Sequence, residues 1–138
     1  MTVVDASITL SWYFDDEKSL ASDQVLDAVG KLGATVPGHW RLEVANSLRT
    51  AVRRGRATSD YRDAVLQQLS NLPIAIDSET AAHAWAGTLA LADKHRLTPY
   101  DAAYLELALR RNLPLATLDN ALQSAAQTEG VNVLPRTL

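Results

Sequence analysis

The stretch that most constrains this chain is residues 98–120, TPYDAAYLELALRRNLPLATLDN. It reads as a helix, a tight turn and a buried strand, with an acid at each end. Thr98 suits an N-cap and Pro99 the first helical position. Ala102, Leu105, Ala108 and Leu109 recur at helical spacing, and Asn112 and Pro114 stop the helix. The apolar run 115–118 is too short for a helix and reads as a strand. Asp101 then falls in the first helical turn and Asp119 at the strand end. In a parallel α/β sheet such strand ends and helix starts gather at the carboxyl edge, where ligands bind.

The remaining chain repeats this alternation. A β-prone run over 2–4 ends at Asp5, and Ser7 is placed to cap a helical turn or two over 8–14. Asp15, Asp16 and Glu17 make an acidic turn. A helix is expected over 19–32, with Leu20, Val25, Leu26 and Val29 inward and Gly30 and Gly33 at its end. A strand over 34–37 leads into a long helix over 39–54 with an apolar stripe of Trp40, Val44, Leu48, Ala51 and Val52. Gly55 breaks it. Thr58 or Ser59 caps the next helix, which runs to 72 with Tyr61, Val65, Leu66 and Leu69 inward. A third strand covers 74–76, and Ser78 begins an alanine-rich helix reaching 95. A last helix over 120–129 ends at Gly130, a strand covers 131–134, and a short tail starts at Pro135. Strands alternating with helical patterns imply βαβ units. The expectation is an α/β, three-layer domain: a central parallel sheet of about five strands, helices on both faces and an added helical hairpin between the second and third strands. A chain of 138 residues suits a single domain over 1–138.

Composition narrows the function. Hydrophobic residues make up 47% and charged residues 21%, the mixture of an ordinary soluble globule. No apolar run is long enough to cross a bilayer, and the N-terminus lacks a basic segment followed by a hydrophobic one. The expectation is therefore no membrane partner. The absence of cysteine removes disulfides and thiolate metal sites and fits a cytoplasmic protein. A net charge of -3 weighs against nucleic acid as partner, unless the acids are concentrated in one pocket and the arginines lie elsewhere.

Four carboxylates stand at comparable positions: Asp5 after the first strand, Glu43 on the helix after the second, Asp101 opening the helix before the fourth, and Asp119 after the fourth. Crowded carboxylates repel, so such a cluster needs a cation. Mg²⁺ prefers oxygen ligands and takes one or two carboxylates with several waters; such ions activate water for phosphoryl displacement. Ser7, Asn46 and Thr117 are neutral hydrogen-bonding groups close by in sequence. Each acid also has a structural reading. Thr98-x-x-Asp101 resembles a capping box, Asp119 suits an N-cap, Asp5 ends a strand, and Glu43 borders a buried helix face. Their joint arrival at one sheet edge favours chemistry.

The segments VVDASI, LEVAN, TPYDAAYLELA and LATLDNAL resemble the four acidic motifs of PIN-domain ribonucleases, and the short form is similar to VapC-type toxins of bacterial toxin–antitoxin pairs. The resemblance spans nearly the whole chain. It implies catalytic acids at Asp5, Glu43, Asp101 and Asp119, with Asp5, Asp101 and Asp119 holding metal and Ser7, Asn46 and Thr117 in support. It also implies an endoribonuclease dependent on Mg²⁺ or Mn²⁺, an RNA substrate, a homodimer and a cognate antitoxin. Arg49, Arg53 and Arg56 lie opposite the apolar stripe of the long helix. They suit either RNA backbone contact or a solvated helix face. Arg110 and Arg111 suit a helix end. His39, His83 and His95 are too scattered for a metal motif, and Trp12, Trp40 and Trp85 read as core or interface. Two alternatives stand beside the enzyme. A catalytically silent PIN-like binding domain would keep the fold without cleavage. A receiver-type phosphoacceptor domain would want a second acid beside Asp5 and a lysine at the end of a late strand, and the sequence has neither.

Overall fold

In the computed structural model, which describes residues 1–136, short strands sit at the β-prone runs. They are β1 (Thr2–Val4), β2 (Ala34–Val36), β3 (Ile74–Ile76), β4 (Leu115–Ala116) and β5 (Val133–Leu134). All pair in parallel, in the order β3-β2-β1-β4-β5. Val3 stands opposite Thr35 on one side and Leu115 on the other. β1, β2 and β4 are buried, as strands covered on both faces must be, while the edge strand β3 is partly exposed.

Helices α1 (Ala6–Ser11), α2 (Leu20–Leu32), α3 (Trp40–Arg53) and α4 (Ser59–Ser70) lie in the crossovers β1–β2 and β2–β3. Helices α5 (Thr80–His83), α6 (Leu89–His95), α7 (Pro99–Arg111) and α8 (Asn120–Thr128) lie in those leading to β4 and β5. Right-handed crossovers put the two sets on opposite faces. The helical hairpin expected between β2 and β3 is α3 and α4. From β1 the chain steps to one side, and from β4 to the other. The crevice between those two strands is therefore the topological switch point, with Asp5 and Thr117 beyond its two strand ends.

The core joins both layers. Val3, Val4, Val36 and Leu115 pack with Ile8, Val29, Leu48, Leu105 and Leu122. Trp12 and Trp40 are buried; their indole N–H groups donate to the Ser22 carbonyl at 2.9 Å and the Thr9 hydroxyl at 3.2 Å. Buried indoles need such partners.

Several elements differ from the expectation. Helix α1 is capped by Asp5, not Ser7: the Asp5 carboxylate accepts from the Ile8 amide at 3.0 Å. Helix α2 has Val25 and Val29 inward, but Leu20 is 78% exposed, because it sits at the first helical position beyond the reach of the core. In α4 only Val65 and Leu69 are buried; Tyr61 and Leu66 face outward, and the Tyr61 hydroxyl donates to the Tyr13 carbonyl. The expected helix 78–95 is broken into α5, a π turn at Ala84–Thr88 and α6. Ser78 is not its cap: Glu79 holds that position without a side-chain bond. Trp85, on the π turn, is 94% exposed and takes no part in the core. Strand β4 ends at Ala116, so Asp119 is the N-cap of α8 and not the last residue of a strand. The tail from Pro135 is described only to Arg136; Thr137 and Leu138 lie outside the described residues.

Candidate active site

Asp5 is 4% exposed and the most tightly held of the acids. Its Oδ1 accepts from the Ile8 amide and, at 2.6 Å, from the Ser7 hydroxyl; its Oδ2 accepts from the Thr117 hydroxyl. Burial pushes its pKa up from 3.8 to about 6, against the pull of those three bonds, and the charge of Asp101 adds to the rise. Thr117, from the end of β4, thus bridges the switch point. Its hydroxyl also accepts from the Asp119 amide at 3.0 Å, and Ser7 accepts from the Leu118 amide at 3.0 Å. The β1 and β4 ends are therefore tied by hydroxyls, which brings Ser7 and Thr117 onto Asp5.

Asp119 caps α8, accepting from the Leu122 amide at 2.8 Å. Asp101 lies in the first turn of α7, where its amide donates to the Thr98 cap at 3.1 Å. Burial raises the Asp101 pKa, and the charges of Asp119 and Glu43 raise it further, against His39 and Thr98. Glu43 lies in the first turn of α3. Its Oε1 accepts from the Tyr104 hydroxyl, and His39 Nε2 is 3.5 Å from the same oxygen. His39 is fixed by the Tyr100 carbonyl at 2.9 Å and stands edge-on to the Tyr104 ring, centroids 5.3 Å apart. Tyr104 is 1% exposed, and burial, then Glu43, hold its phenol far above the usual range.

The four acids are thus electrostatic neighbours. Asn46 is not drawn into them: it is exposed and lines a groove between α1 and α3 with Ser47, Leu10 and Phe14. Arg49 and Arg53 are exposed on α3, with no ion pair among the described residues. Arg56 does not belong to that helix face. The chain turns at Gly55, whose φ is +75°. Arg56 then pairs with Asp16 at 2.9 Å and Glu17 at 3.1 Å, its guanidinium 4.8 Å from the Phe14 ring centre. Arg110 is more than a helix-end charge. It donates to Glu106 at 2.8 Å and to Asp77 at 2.7 Å, both of them buried.

Sequence reasoning missed Tyr104, Asp77 and Glu106. Tyr104 had a signal: it follows Asp101 by three residues and so shares its side of the helix. Glu106 and Arg110 had the i,i+4 spacing of an ion pair. Asp77 had none, since its partner is 33 residues away.

The donor set fits a hard divalent cation. Among the described residues none of the four acids is within ion-pair distance of a lysine or arginine, and both Asp5 and Asp101 are pushed toward the protonated form. Uncompensated carboxylate oxygens are what Mg²⁺ and Mn²⁺ take. As they stand, no three acids or histidines among the described residues converge closely enough to enclose an ion. They form an acidic cluster, not a finished ligand shell.

Fold and site together define a parallel α/β domain that gathers carboxylates from four helix starts at its switch point. The chain belongs to the PIN domain family, whose model matches residues 2–127. It is 33% identical to Ribonuclease VapC3 of Pyrobaculum aerophilum over 120 residues, covering 87% of this chain and 90% of that protein. It is 34% identical to Ribonuclease VapC3 of Mycobacterium tuberculosis over 128 residues, covering 89% of this chain and 85% of the relative. The fold is similar to the crystal structure of PAE2754 from Pyrobaculum aerophilum, with a TM-score of 0.64 and 22% identity over 96% of this chain and 87% of that one. It is also similar to the crystal structure of FitAcB from Neisseria gonorrhoeae, with a TM-score of 0.66 and 16% identity over 97% and 96%.

Proposed function

We propose that this protein is an endoribonuclease of the VapC type, the toxin of a toxin–antitoxin pair, which hydrolyses RNA phosphodiester bonds with Mg²⁺ or Mn²⁺. The observation that carries this reading is the set Asp5, Glu43, Asp101 and Asp119 at one sheet edge, with no lysine or arginine within ion-pair distance among the described residues. The ribonuclease relatives and the family membership support it. Asp5, Asp101 and Asp119 would hold the ion, with Glu43 binding it or orienting the attacking water. A bound divalent ion supplies positive charge beside the phosphate and makes water more acidic. The chain's own part is to keep the carboxylates fixed. Ser7 and Thr117 donate to both oxygens of Asp5, so its remaining lone pairs keep one direction. The Ile8 and Leu122 amides do the same for Asp5 and Asp119. Glu43, half-buried, would accept a proton from that water where it serves as the base; Asp5 is shielded from bulk solvent, Asp101 partly so, and Asp119 is open to it. Arg49 and Arg53 would contact the RNA backbone and offset the acidic net charge; their exposure on α3 supports this reading.

The same reading takes residues 1–138 as one domain, in the cytoplasm, as a homodimer held silent by its antitoxin. No helix among the described residues is long and apolar enough to cross a membrane, which is consistent with that setting. The decisive experiment is cleavage of total RNA in Mg²⁺ or Mn²⁺ beside an Asp5→Asn control. Cleavage should vanish in chelator, return with metal and be absent in the control. Undiminished cleavage in chelator overturns the mechanism. Binding of RNA without cleavage under all conditions favours the silent binding domain. Sedimentation of the isolated protein at micromolar concentration should give a dimer; a monomer counts against the assembly and leaves the chemistry standing.

A further inference from the structure

The carboxylates of Asp5 and Asp119 are held by the backbone amides of their own helix starts, and Glu43 is held differently. Asp5 has two hydroxyls and an amide and Asp119 has an amide, while Asp101 is placed by its backbone in a capped turn and a short side chain. Glu43 is longer, with three side-chain torsions, and no backbone amide binds it among the described residues. What holds it is Tyr104, on the opposite helical layer. The phenol donates to Oε1 and leaves Oε2 without a protein partner among the described residues. The ring is 1% exposed and braced edge-on by His39, so the hydroxyl cannot swing away. Tyr104 also follows Asp101 by one helical turn. One helix therefore supplies both a cluster acid and the clamp on the acid that faces it.

We propose that Tyr104 is a positioning residue: its hydroxyl fixes the Glu43 carboxylate so that the free oxygen is presented to the acid cluster and takes part in holding the divalent ion. This rests on the metal-dependent reading above and assigns Glu43 to the ion instead of to water alone. A hydroxyl that served only to satisfy a buried phenol would contribute to stability and leave metal binding alone.

Tyr104→Phe separates the two, because it keeps the ring and removes one O–H. Mn²⁺ binding to the RNA-free protein, followed by the loss of the free-ion paramagnetic resonance signal, is the primary readout. Removing a hydrogen-bond partner of a metal-holding carboxylate costs about 10–100-fold in affinity or activity, so Mn²⁺ binding should weaken about tenfold or more. The metal-free melting temperature should stay within about 3 °C of the parent, since the exposed side of Glu43 can take water in place of the phenol. Glu43→Gln should weaken binding similarly. Adding Tyr104→Phe to it should cost little more, because residues acting through one another are not additive. Mn²⁺ affinity within twofold of the parent overturns the inference, as does full additivity of the two substitutions. A Tyr104→Phe protein that has lost its helical circular dichroism is replaced in the same comparison by His39→Gln, which loosens the brace and should weaken Mn²⁺ binding in the same direction. A parent that cuts RNA and binds Mn²⁺ leaves the nuclease reading intact while the inference fails. A parent that binds no Mn²⁺ overturns both.

Discussion

Asp5→Asn should make the metal-free protein more stable at neutral pH while abolishing cleavage. Burial holds the Asp5 carboxyl at about 6, against 3.8 in an exposed chain. Below about pH 4 the folded and unfolded forms both carry the proton, and the group adds nothing. As pH rises from about 4 to about 6 the unfolded chain gives up its proton first, so folding becomes progressively less favourable. Above about 6 the penalty is constant. A difference of about two pK units at 1.36 kcal/mol each gives a penalty of about 3 kcal/mol. Asparagine escapes it but loses one acceptor oxygen, at a cost of about 1 kcal/mol. The net gain is about 2 kcal/mol at pH 8, or about 6–10 °C in melting temperature for a chain of this size. The assay is thermal unfolding of parent and variant in chelator at pH 4 and pH 8. Every other titrating group is common to both proteins, so the change in their difference isolates Asp5. The gain should shrink toward zero or below at pH 4. A variant less stable than the parent at pH 8, or a gap independent of pH, refutes the claim that Asp5 is a desolvated carboxylate without a counter-charge.

Other outcomes follow from the same geometry. Arg110→Met leaves Asp77 and Glu106 buried without a cation and should cost about 3–5 kcal/mol in denaturant unfolding; a loss under about 1 kcal/mol would show the pair to be solvated. Burial pulls the Asp77 pKa up, but Arg110 and Thr80 outweigh it and hold it below the usual range. The stability from that pair is therefore full above the ordinary Asp range and should fade as acid titrates the folded carboxylate, narrowing the gap to Arg110→Met. Asp101→Asn should leave metal-free stability equal or raised, end cleavage and reduce the stabilisation given by Mg²⁺; a variant that melts lower without metal, still cuts RNA and gains the parent's full stabilisation from metal would make Asp101 a capping acid only. Arg49→Ala and Arg53→Ala should weaken RNA binding for many sequences alike and flatten its salt dependence, and unchanged affinity and salt slope would return them to a solvated face.

The legible parts of the fold were those where local chemistry and tertiary context agree. Thr98 and Pro99 start α7, and Asn112 ends it at φ +53°. The apolar runs at β1, β2 and β4 are buried on both faces, so they read as strands whatever surrounds them. Periodicity misled where a residue has the right angle but nothing to meet. Leu20 lies on the inner side of α2 by angle but at its first position, and Tyr61 is drawn outward by a carbonyl for its hydroxyl. The strands were overextended at 118 and 131 because hydrophobicity continues past the point where a parallel partner stops. The π turn, with Trp85 exposed on it, was illegible in an alanine-rich stretch where nothing local forbids a regular helix. In the site, acids and hydroxyls were visible because their types are unusual at strand ends. Tyr104 was not, since a tyrosine among alanines and leucines looks like core, and Asp77 with Arg110 is a contact made only by the fold.

The capping and chemical readings of the acids, which compete in the sequence, describe one arrangement in the structure. Asp5 and Asp119 are the N-caps of α1 and α8, and Glu43 and Asp101 lie in the first turns of α3 and α7. A parallel sheet brings the N-termini of successive helices to its carboxyl edge, so four positive helix ends meet where the four carboxylates meet. That makes the cluster foldable without metal. It does not make it neutral. A helix N-terminus is worth about 0.3–1 kcal/mol to a carboxylate, less than the penalty of about 3 kcal/mol that burial leaves on Asp5. The helix ends therefore offset part of the repulsion, and the remainder is what a divalent cation would relieve. A chain that needed only caps could meet the backbone amides held by Asp5 and Asp119 with Ser, Thr or Asn; Glu43 and Asp101 add carboxylates that accept from no backbone amide among the described residues, as the proposed divalent ion would require.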